Sequence, residues 1–135
     1  MARLYREAPL NGIWEGSGNI IALDVLRAVS KSPESVTAFL SEIKAAKGGD
    51  KCLDRMADEL TDELYDGHLN EGGPRRVAER MALALQASLL LRFGPTPTAE
   101  AFCATRLGRE GGVTLGNLPP GHDCRAIVER AHITA

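Results

Sequence analysis

Leu53, Met56, Ala57, Leu60 and Leu64 recur at helical spacing, and Asp54, Asp58, Asp62 and Asp66 fall on the opposite side. That period marks an amphipathic helix with one buried face. Two other stretches, Ile20-Ile21-Ala22-Leu23 with Val25-Leu26, and Leu83-Ala84-Leu85 with Leu89-Leu90-Leu91, are apolar around most of a helical circumference and call for cover on several sides. Ser32-Pro33, Gly73-Pro74 and Thr96-Pro97 place proline where a first helical residue belongs, because its missing N–H has no partner to lose there. Gly48-Gly49, Gly72-Gly73, Gly94 and Gly111-Gly112 supply stops, expected in the left-handed conformation that glycine tolerates. Between these marks the sequence predicts helices over 18–30, 33–46, 50–68, 74–92 and 97–109, with a weaker one over 123–131. No segment reads as a strand. The expected fold is all-α, an antiparallel helical bundle with additional helices towards its C-terminal end. Its leftover apolar surface is expected to be covered by a partner or another domain.

Composition narrows the class without changing it. The 135 residues are 44% hydrophobic and 4% aromatic, with a net charge of −2, the profile of one globular domain. No run of 18 apolar residues is present, and the first residues lack the apolar core of a secretory signal, so the chain is expected in the cytoplasm, without a membrane. Cys52, Cys103 and Cys124 are odd in number and widely spaced, as free thiols in a reducing compartment would be.

Charge is unevenly spread. Residues 31–72 hold five basic and ten acidic side chains, and residues 73–135 hold eight arginines against five acids. A hairpin through 67–73 would set Arg75, Arg76 and Arg80 beside the acids of Asp62 to Asp66, an internal pairing that outweighs a cation or basic-partner site on the acidic stripe. Guanidinium groups also bind phosphate, so Arg75, Arg76 and Arg80, with Arg106, Arg109, Arg125 and Arg130, are the candidates for contacting double-stranded DNA. His122-Asp123-Cys124 matches no zinc-ligand spacing, and no metal is expected; a surface loop leading to a helix capped by Asp123 accounts for it. His68 is expected at the carbonyl end of its helix.

The only tryptophan sits in Trp14-Glu15-Gly16-Ser17-Gly18-Asn19, an aromatic residue and a carboxylate on a glycine-rich turn running into a helix. Two readings stand side by side. In one, the free N–H groups at the helix start and the Ser17 hydroxyl hold an anion, while Glu15, desolvated beside the indole, has a pKa raised towards that of a general base. In the other, Ser17 is an N-cap and Glu15 a first-turn acid that complements the helix dipole. The stretch is not a dinucleotide fingerprint, since Ile21 stands where the third glycine belongs and no strand precedes it.

The run from Arg3 to Arg27 resembles the start of the C-terminal region of flavin-dependent acyl-CoA dehydrogenases, most closely the branch of alkylation-response proteins. In that family an aromatic-Glu-Gly-Thr/Ser-x-Gln/Asn run precedes a long helix, and Arg75-Arg76-Val77 and Ala101-Phe102-Cys103 extend the likeness. The resemblance implies an all-helical bundle whose helices form an oligomer interface. It implies that Glu15 is the base that takes the α-proton of an acyl-CoA thioester, and that Gly16, Ser17 and Asn19 contact FAD. It also implies that Arg27 lines the site or meets DNA, in a branch with only weak dehydrogenation. Complete members carry a helical domain and a β-domain ahead of this segment. The chain is therefore expected to be a C-terminal fragment, a single helical domain that neither binds FAD nor dehydrogenates alone and whose first partner is the remainder of the dehydrogenase.

Overall fold

The computed structural model describes residues 2–12, 18–65, 73–108 and 120–131. Among them every regular element is helical. A short helix α1 (Ala2–Glu7) leads through a 3₁₀ turn (Ala8–Gly12) towards α2 (Gly18–Lys31), followed by α3 (Pro33–Lys44), α4 (Lys51–Tyr65), α5 (Pro74–Phe93), α6 (Thr96–Phe102) and α7 (Cys124–Ala131).

The prolines start helices as their chemistry dictates. Pro33 and Pro74 open α3 and α5, and Pro97 lies in the first turn of α6. Ahead of α3 the Ser32 hydroxyl donates to the Glu34 carboxylate, which holds that carboxyl below its ordinary value. Asp50 starts α4 by accepting from the backbone N–H of Cys52 at 2.7 Å and of Leu53 at 3.2 Å. Asp123 caps α7 as expected, accepting from the N–H of Ala126 at 2.9 Å.

Two expectations about glycine separate here. Gly48 is left-handed, with φ of 85°, and the Asp54 carboxylate accepts its N–H, fixing the turn between α3 and α4. Gly94 ends α5 in an extended conformation instead, with ψ of 168°. Pro95 follows it, and a residue before proline is pushed out of helical space. Gly73 precedes α5 as its N-cap residue and is not a left-handed stop.

The face of α4 is buried as its period demands: Leu53, Ala57, Leu60 and Leu64 are in the core, and Met56 packs against it. Helix α5 is central and packs against α2, α3, α4 and α6. Ala84 and Ala87 are fully buried on it, so neighbouring backbones approach closely, and the buried Ser88 hydroxyl donates to the Glu42 carbonyl at 3.0 Å. Glu59 meets Arg80 and Glu63 meets Arg76, so α4 and α5 run antiparallel; α3 and α4 do likewise, with Thr37 and Tyr65 hydroxyls 3.0 Å apart.

Helix α6 is shorter than its pattern suggests. After Phe102 the chain widens into a π turn (Cys103–Leu107), closed by the Gly108 N–H on the Cys103 carbonyl at 2.8 Å. The Thr105 hydroxyl takes the Ala101 carbonyl at 2.7 Å, competing for an acceptor that a backbone N–H of an α-helix would use.

The all-round apolar helices are only partly covered. Among the described side chains of α2 Ala22 is buried, while Ile20, Ile21 and Leu23 are exposed; α5 leaves Leu89 and Phe93 in the open. No described helix is long and apolar enough to cross a membrane.

Candidate functional site

Helix α2 begins at Gly18, so the motif's second half opens a helix as the sequence predicts, with the Asn19 backbone in the first turn. Trp14, Glu15, Gly16 and Ser17 lie outside the described residues, as do Asp66 and His68. What the structure brings to this end of α2 is Arg75. It stands in the first turn of α5, and its Nη2 lies 3.1 Å from where a Cβ on Gly18 would be. A larger residue at position 18 would displace the guanidinium.

Among the described residues, this corner carries positive charge alone. Neither α2 nor α5 has an acid in its first turn, although the N-terminus of a helix carries roughly half a positive charge. Arg75 adds a full positive charge between the two starts. A corner of this sign attracts an anion.

The other candidate arginines point elsewhere. Arg76 pairs with Glu63, and Arg80 reaches both Glu59 at 2.5 Å and Glu63 at 2.6 Å. This is the internal pairing expected of the hairpin, with glutamates as the acceptors and the Asp54-Asp58-Asp62 line left outside it. Arg27 pairs with Asp24 at 2.6 Å on the exposed side of α2. Of the arginines considered for DNA, Arg27, Arg76, Arg80 and Arg125 thus have a carboxylate partner within the chain, which does not favour a phosphate-binding surface.

A feature the sequence reading missed is a cleft of about 500 Å³ lined by Asp50, Cys52, Arg55, Glu100, Ala104, Gly108 and His122. Its one legible signal was Asp50 as a cap two residues before Cys52. Below it lies Cys103, fully buried, whose thiol is pushed up to about 12 by burial, then by the neighbouring charges of Asp50 and Cys52. All three cysteines are free. Among the described residues no group of three His, Cys, Asp or Glu side chains could hold a metal ion.

This helical chain, with a cationic corner at the end of its motif, is similar to part of an acyl-CoA dehydrogenase. The relative is the protein described as "Putative acyl-CoA dehydrogenase AidB" of Escherichia coli (strain K12), 36% identical over 115 residues, which is 85% of this chain. The chain spans 21% of that relative's length. The resemblance drawn from the Trp14–Asn19 motif is thereby met across most of the sequence. No family model and no solved structure matches the chain.

Proposed function

We propose that the chain is the C-terminal helical domain of an AidB-like, FAD-dependent acyl-CoA dehydrogenase, supplying the catalytic base and part of the flavin and oligomer interface. The observation that carries this reading is the 36% identity to AidB over 115 residues. The cationic corner agrees with it. FAD carries an anionic diphosphate, and two helix starts with Arg75 between them and no first-turn acid suit such a group.

In this proposal Gly16, Ser17 and Asn19 approach the cofactor with backbone and short polar groups, and Arg75 neutralises its charge. A bound flavin would supply the acceptor for the hydride of the acyl β-carbon. Glu15 takes the α-proton, which requires its carboxylate within about 3 Å of that carbon's hydrogen. In this proposal the exposed Ile20, Ile21 and Leu23 face the rest of the dehydrogenase or a second protomer.

The test compares the chain alone with the chain joined to a dehydrogenase body of the AidB type. Alone, it should neither retain FAD nor turn over acyl-CoA. Joined, it should reduce its flavin on addition of acyl-CoA, and Glu15→Gln should slow that reduction by roughly 100- to 10,000-fold, the span of general-base catalysis. Undiminished reduction by the Glu15→Gln variant would refute the assignment of the base.

A further inference from the structure

We draw no further inference here: the strongest candidate, the cleft between the start of α4, α6 and the turn at His122, sets acids of Asp50 and Glu100 and the Arg55 cation around a single half-buried thiol, Cys52, with nothing in the structure that points to a ligand.

Discussion

Arg80 on α5 donates from Nη1 to Glu63 on α4 at 2.6 Å, and both side chains are largely withdrawn from water, at 16% and 17% exposure. The same guanidinium holds Glu59 through Nη2, and Arg76 meets Glu63 from one helical turn earlier. Four charged groups therefore tie α4 to α5 in one network. Removing one partner from such a network leaves the other partly desolvated and unpaired. Arg80→Ala should lower stability by about 1–3 kcal/mol, below the cost of breaking a fully buried pair because water still reaches the edge. The exposed Arg125–Glu129 pair is the comparison, worth about 0.3–0.5 kcal/mol as an i,i+4 contact. A double-mutant cycle on Arg80 and Glu63 checks this; a coupling no larger than that of Arg125 and Glu129 would contradict it.

Two glycines should respond to alanine in the opposite order from what backbone angles alone suggest. Gly48 has a positive φ but open space around it, so Gly48→Ala incurs only the left-handed penalty of roughly 1–2 kcal/mol, and Gly48→Asn less. Gly108 has an ordinary φ, yet a Cβ there would lie 2.4 Å from the Ala104 carbonyl oxygen. Relief requires the π turn to move. Urea denaturation should show Gly108→Ala as the more destabilising change.

The thiols should separate by environment. Cys124 is exposed, Cys52 is half-buried at the cleft and Cys103 is enclosed, so alkylation near neutral pH should proceed in that order, with Cys103 reacting only as the chain opens. Linkage fixes the sign of the pH effect. The Cys103 pKa rises from 9.0 to about 12 on folding, so above 9.0 the unfolded state loses its proton first. The stabilising contribution is full below 9.0 and fades as pH climbs towards 12. Cys103→Ala should flatten this alkaline decline in a pH series of denaturation midpoints, whatever it does to stability at neutral pH.

The uncovered face of α2 should govern association. Ile20, Ile21 and Leu23 are exposed close together on this helix, an apolar patch of the kind that marks a contact surface. Ile21→Lys should reduce self-association of the isolated chain in sedimentation experiments and leave its helical content unchanged. Equal association by the variant would remove α2 from the interface.

Much of the bundle was legible because its signals are local. Proline at positions 33 and 74 and the carboxylate of Asp123 act within a turn of themselves, and the Leu53–Leu64 stripe encodes its own buried face. What escaped depends on contacts distant in sequence or on competing neighbours. Gly94 looked like a left-handed stop until Pro95 is considered, and the widening after Phe102 depends on a threonine hydroxyl that no periodicity reveals. The partners of Arg76 and Arg80 were expected among Asp62 to Asp66; the register of α4 against α5 selects Glu63 and adds Glu59. At the candidate site, the motif announced the helix that begins at Gly18. Arg75 was noticed only as one of several arginines, because its approach to Gly18 spans most of the distance between two helices in sequence.

The central place of α5 also divides the molecule in time. Its middle is walled in by α2, α3, α4 and α6, with Ala84 and Ala87 wholly enclosed, whereas α7 has no buried residue. Amide protons in the enclosed middle of α5 need a wider opening of the bundle to meet solvent, while those of α7 need only the departure of one helix. α7 should therefore give up its amide protons first, and the enclosed turns of α5 should hold theirs longest.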